Sequence, residues 1–164
     1  MKTTAGNKTK QSSIRVMWGL LCSMSSIDQE RNNISLTNVI TQINIPDAEF
    51  VKAEAGGHKG LMLQSNHELV IMFRRMGVQS LGTDDLNTDI KISLVDPIGG
   101  IVGEILNTVT FLGSSRNHGH RINMSNFTVT TEGDYEYRVS IFNQELNEFE
   151  QLYFIPFTVE RIKK

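Results

Sequence analysis

The chain has 164 residues, 39% of them hydrophobic and 21% charged, with a formal net charge of −2. That length fits one domain, the composition supplies a core and differs from that of a disordered tail, and a slightly acidic chain offers no basic face to nucleic acid. No stretch approaches the roughly 20 apolar residues of a membrane-crossing helix, so neither nucleic acid nor a membrane is expected as a partner.

Residues 1–13 are polar and basic and read as a mobile tail. The apolar run Val16 to Cys22 that follows is short and lacks a small-x-small cleavage site, so it reads as a strand and not as a secretion signal. Cys22 is the single cysteine, which rules out an intrachain disulfide and fits a reducing, cytoplasmic setting. The glycosylation-like sequences at Asn7, Asn33, Asn123 and Asn126 are chance occurrences in a chain rich in Asn, Ser and Thr.

Period-two alternation of apolar residues, the mark of a strand with one buried face, runs through the rest. Ile14, Val16, Trp18, Leu20 and Cys22 share one face of the first segment, which makes Cys22 an inert inward thiol. Ile34 and Leu36 change phase to Val39 and Ile43, predicting a bulge near Asn38. After Pro46, the run 47–55 has an N-cap candidate, good helix formers and a Gly56-Gly57 stop, and predicts a short helix. Leu69, Ile71 and Phe73 alternate, while Val70 and Met72 predict that the second face of that strand is also covered. Residues 77–87 read as a loop. Ile90, Ile92 and Leu94 alternate with Asp89, Lys91 and Ser93, and Asp96-Pro97-Ile98-Gly99-Gly100 is a turn in which Pro sets φ and Gly supplies positive φ.

Gly113 to Gly119 read as a second loop, and the phase change from Ile122 and Met124 to Phe127 and Val129 predicts a bulge near Ser125-Asn126. Glu132-Gly133-Asp134 precedes the alternating strand Tyr135, Tyr137, Val139, Ile141, and residues 143–147 separate it from the last strand. There both phases are apolar, Tyr153-Ile155-Phe157-Val159 and Leu152-Phe154, and Pro156 predicts an edge or a bulge.

About eight strands with short turns define an all-β fold, a two-sheet antiparallel β-sandwich of Greek-key type over residues 14–162 with one helix near 47–55. The segment Glu132 to Tyr137 resembles the turn-Gly-x-Tyr entry to a late strand of such sandwiches, where the tyrosine hydroxyl ties a corner. The immunoglobulin cysteine pair is absent.

Two stretches together carry a family resemblance: Val16 to Asp28 followed by Ile34 to Ile40, and Leu94 to Gly100 followed by Glu132-Gly133-Asp134-Tyr135. Their order is similar to that of a family of uncharacterised bacterial single-domain β-sandwich proteins with no assigned activity. The resemblance covers roughly residues 14–160 and departs at Arg31-Asn32-Asn33, where the family often has a glycine. It implies the sandwich and carries over no catalytic residue.

Several constellations bear on chemistry. His118-x-His120 would present both rings on one face of a strand and suits zinc or copper, with His67 or His58 as a third ligand from elsewhere. The ordinary reading is a solvated polar loop with two unremarkable histidines. Asp85-x-Asn87-x-Asp89 with Asp96 mimics calcium-loop spacing, but Ile90 stands where that loop needs glycine. A looser calcium site would draw on Asp84 and Asp134; the ordinary reading is a solvated acidic loop. Ser114 and Ser115 do not form G-x-S-x-G, and the glycine pairs lack the lysine of a phosphate loop.

No catalytic residue and no cofactor is therefore expected. The leading expectation is a non-enzymatic binding sandwich that acts on itself or another protein through an edge strand or an apolar sheet face, with Tyr153, Phe154, Pro156 and Phe157 as binding residues. Phe149 belongs to the same aromatic set, for which core and sheet packing is the ordinary reading. The alternative is a small-molecule, sugar or calcium module using loops 82–89, 113–120 and 131–134.

Overall fold

The computed structural model describes residues 14–28, 33–76 and 84–163. The expected tail at 1–13, the departure at Arg31-Asn32 and the first part of the 77–87 loop lie outside them. The elements are β1 (Ile14–Asp28), β2 (Asn33–Val39), β3 (Gln42–Pro46), α1 (Asp47–Ala55), β4 (Leu61–Arg75), β5 (Leu86–Val95), β6 (Ile101–Phe111), β7 (Asn117–Val129), β8 (Gly133–Asn143) and β9 (Glu148–Ile162). They form a four-stranded sheet in the order β2-β1-β4-β7 and a five-stranded sheet in the order β3-β9-β8-β5-β6. All pairs are antiparallel except β3 with β9, which is parallel. β4 and β7 are neighbours in one sheet while β5 and β8 are neighbours in the other, so consecutive segments interlock across the core as in a Greek key.

The core lies between the sheets. Leu69, Ile71 and Phe73 of β4 with Ile122, Met124 and Phe127 of β7 close over Ile90 and Ile92 of β5, Tyr135, Tyr137 and Val139 of β8, and Ile155, Phe157 and Val159 of β9. The stretch read as one phase-shifting run at 34–43 is two strands in different sheets. No register shift separates Cys22–Val39 from Met24–Thr37, so the expected bulge at Asn38 is absent. Asn38 instead takes φ 49°, a left-handed conformation that asparagine tolerates, just before the chain crosses to the other sheet. The irregularity expected near Ser125-Asn126 exists, but Gln64 pairs Asn126 and His67 pairs Met124, so β4 carries the extra residue.

A second bulge overturns the expected face of β1. Val16 pairs Phe73 and Trp18 pairs Met72, leaving Met17 unpaired. One extra residue inverts every side chain beyond it. Gly19 and Leu21 therefore face the core, and Trp18, Leu20 and Cys22 turn to the outer face of the sheet. A Cβ on Gly19 would collide with the side chain of Ile155 in the opposite sheet, so glycine here lets the two sheets close.

That outer face is itself covered. β1 pairs with β4 only from Ile14 to Cys22 and continues to Asp28 with β2 alone. The overhanging hairpin bends back across β4 and β7: Ser25 donates to Glu68 Oε2 from its amide at 2.6 Å and its hydroxyl at 2.5 Å, and Arg121 donates to the Ser25 carbonyl at 3.3 Å. A Cβ on Gly119 of β7 would sit 2.9 Å from Ile34 Cδ1 of β2, although β1 and β4 lie between those strands in sheet order. Val70 and Cys22 are consequently fully buried beneath the hairpin. The expected second covered face of β4 is thus present, whereas Cys22 is buried outside the inter-sheet core.

Helix α1 spans the expected residues. Its N-cap is Pro46, with no side-chain cap, and Asp47 instead pairs with Arg161 of β9. The Arg161 guanidinium also lies 4.9 Å over the Phe50 ring, which pins the helix across the end of β9. At that end the Tyr135 hydroxyl donates to the Thr131 carbonyl at 2.8 Å and accepts from the Thr130 and Thr131 amides at 2.9 and 3.2 Å. This is the expected tyrosine corner, joining the exit from β7 to the start of β8.

Candidate functional site

The outer face of the five-stranded sheet is a mosaic that register places residue by residue. Phe154 of β9 pairs Arg138 of β8, Arg138 pairs Ser93 of β5, and Ser93 pairs Glu104 of β6. One row away, Lys91 pairs Ser140 and Leu106, and a further row brings Phe142 beside Phe149. The two phenylalanine rings meet edge to face at 5.3 Å, and Lys91 Nζ lies 5.0 Å over the Phe149 ring. Lys91 also pairs with Glu104 at 3.9 Å, and Arg138 with Glu136 at 2.5 Å. Among these charges stand large apolar side chains that no described residue covers: Phe154 is 55% exposed, Leu106 66% and Ile101 61%.

The four expected binding residues divide. Phe154 and Pro156 lie on the outer face and are exposed. Tyr153 is half-buried and faces in, near Gly19, and Phe157 is a core residue at 2% exposure that stacks between Tyr135 and Tyr137. Strand alternation explains the split, since Phe157 shares the inward phase of Ile155 and Val159. Leu152 is the extra residue where β9 shifts register between Tyr153 and Gln151, and it packs partly on the core.

β3 pairs with β9 only over Thr158 to Ile162, so among the described residues no strand pairs with Glu148–Phe157 on that side. The Thr158 amide donates toward β3, to the Thr41 carbonyl at 2.9 Å. By alternation the nitrogen of Pro156 faces the same open side, so its missing N–H takes nothing from the ladder with β8 and leaves no donor for an added strand. The expected edge placement of Pro156 is met locally. The proline blunts that edge, leaving the face as the adhesive part of the surface.

The histidines are not in a loop. His118 and His120 lie on β7, opposite Phe73 and Ile71, and both rings turn between the sheets. Their centroids are 5.7 Å apart, with Phe111 5.7 Å from His118 and Phe73 6.4 Å from His120. His67, expected as a third ligand, is buried elsewhere on β4 with Nδ1 3.2 Å from Ser65 Oγ and Nε2 3.3 Å from Tyr137 Oη. His58 follows α1 at the opposite end of the sandwich. No group of three or more His, Cys, Asp or Glu able to hold an ion occurs among the described residues.

Asp85, Asn87, Asp89, Asp96 and Asp134 each accept hydrogen bonds within the fold. Asp85 accepts from the Gly113 amide, Asn87 from Thr110, Asp89 from Thr108 and Asp134 from Thr158, at 2.7–2.8 Å. Asp96, at the other end of β5, accepts from the Ile98 and Gly100 amides and the Thr130 hydroxyl. The segments at 84–89 and 113–120 therefore sit at one end of the sandwich and 131–134 at the other, so the three expected binding loops do not form one site.

Fold and surface define an all-β two-sheet sandwich in which β1-β4-β7 opposite β5-β8-β9 follows the strand order of immunoglobulin-type domains. No helix among the described residues is long and apolar enough to cross a membrane. No protein-family model and no curated protein matches the chain. Among solved structures it is similar to an alkylpurine DNA glycosylase of Pseudomonas fluorescens bound to DNA containing an abasic site analogue, at 11% identity and a TM-score of 0.47 over 92% of this chain and 31% of that one. It is also similar to a family 123 glycoside hydrolase of Clostridium perfringens, at 8% identity and a TM-score of 0.40 over 92% of this chain and 28% of the other. The chain thus spans less than a third of the length of either.

Proposed function

We propose that this protein is a non-enzymatic β-sandwich that associates with a second copy of itself through the outer face of its five-stranded sheet, in the cytoplasm. The observation that carries the reading is Phe154, more than half exposed on a face that also presents Leu106 and Ile101. Scattered exposed apolar residues are ordinary, but here three large ones share one sheet face with the Phe142–Phe149 pair. Lys91 pairs with Glu104 and Arg138 with Glu136 within each copy, so four of the charges around the apolar residues are already matched before two copies meet. Pro156 directs contact to the face, away from strand addition.

Sedimentation velocity across a concentration series tests this. A dimer is expected for the parent chain and a monomer for Phe154→Asp and for Leu106→Lys, with unchanged circular dichroism. A parent chain that stays monomeric at the highest concentrations, or variants that dimerise as well as it does, would overturn the proposal.

A further inference from the structure

We propose that His118 and His120 form a two-imidazole site for a single cuprous ion at the end of the sandwich where β6 turns into β7. The pair stands apart from the sheet face proposed above. Two imidazoles sharing one ion through bonds of about 2.0–2.1 Å hold their ring centres about 5 Å apart at a tetrahedral angle and a little over about 6 Å apart when the bonds are collinear. The observed 5.7 Å lies in that range, with the rings tilted by 35°.

The donor set has the features of a ligand pair. His118 hydrogen-bonds the backbone at Thr110, which orients its ring and leaves its other nitrogen with a free lone pair, the arrangement that supports metal-bound imidazoles. His120 Nε2 is buried and has no hydrogen-bond partner, an uncommon state for a buried polar atom.

Charge and coordination number select the ion. The walls are Phe73 and Phe111, and the desolvation cost of an ion rises with the square of its charge, so a monovalent ion suits this setting better than a divalent one. Imidazole binds copper well. Cuprous copper accepts two or three donors, whereas zinc normally takes four.

Anaerobic titration of the full chain with Cu(I), supplied with excess ascorbate against a chromophoric chelator, tests the site. One equivalent per chain is expected, with an X-ray absorption spectrum of low-coordinate Cu(I) and nitrogen ligands only. His120→Phe and His118→Phe, which fill their space against Phe73 and Phe111, should each weaken binding by at least about 100-fold, the upper end of what outer-shell partners alone cost. His58→Ala and Cys22→Ser should bind as the parent does. Absence of competitive binding, sulfur ligation in the spectrum, tighter binding of Zn(II) than of Cu(I), or undiminished binding in both phenylalanine variants would overturn the assignment. The spectrum of the parent chain decides the matter even if a variant fails to fold.

Discussion

The imidazole of His67 on β4 and the hydroxyl of Tyr137 on β8 meet at 3.3 Å, Nε2 to Oη, and join the two sheets inside the core. With the His67 Nδ1 proton directed at Ser65, Nε2 is free to accept from Tyr137. Burial keeps Tyr137 protonated by pushing its pKa up, and burial lowers that of His67 below the ordinary 6.5. The unfolded chain therefore binds more protons than the folded one as pH falls through 6.5. Stability is complete above that value and is lost toward the lower, folded-state pKa. The melting temperature should fall between pH 7 and pH 5, and His67→Asn should flatten the decline without removing it, because His118 and His120 are buried too. A decline of the same steepness in the variant would show that His67 does not contribute.

The Tyr135 hydroxyl binds three backbone groups across the β7–β8 corner. Tyr135→Phe keeps the ring stacked on Phe157 but leaves those groups without their partner. The expected cost is about 1–3 kcal/mol, read as a lower urea midpoint with an unchanged slope.

Gly19 faces Ile155 with no room for a methyl group. Gly19→Ala should force the sheets apart locally and cost about 1–3 kcal/mol, despite the better strand propensity of alanine. Pairing it with Ile155→Val should recover part of the loss, and a purely additive double variant would contradict the contact.

Glu68 holds the β1–β2 hairpin against the outer face through two hydrogen bonds from Ser25. Cys22 lies beneath it, and burial raises the thiol pKa. Cys22 should react slowly with an aromatic disulfide reagent. Bonds to a charged group contribute about 1.5–3 kcal/mol, so Glu68→Ala should speed labelling by roughly ten- to a hundredfold while global unfolding shifts less. Equal rates in the two proteins would show that the hairpin does not gate the thiol.

Local pattern carried a large share of the fold. Alternation marked β5, β8 and the inward phase of β9, turn chemistry marked Asp96 to Gly100, and the Gly133-x-Tyr135 sequence marked the corner, because each depends on residues adjacent in the chain. The doubly apolar β4 announced a second cover but could not say that the cover is the chain's own first hairpin.

The candidate site was less legible. Strand phase separates Phe154 and Pro156 from Tyr153 and Phe157, yet because both phases of this segment are apolar, composition cannot say which of the two is buried. His118 and His120 looked solvated because glycine, serine and asparagine surround them, yet pairing with β4 draws both rings inward.

By itself, the sequence determined that this is an all-β chain with a short helix at 47–55, since side-chain periodicity and turn residues act over a few positions. Tertiary structure alone decided the membership of each sheet, the inversion of β1 at Met17 and the burial of the histidine pair. Those outcomes depend on register between segments far apart in the chain, where a shift of one residue exchanges the inside for the outside.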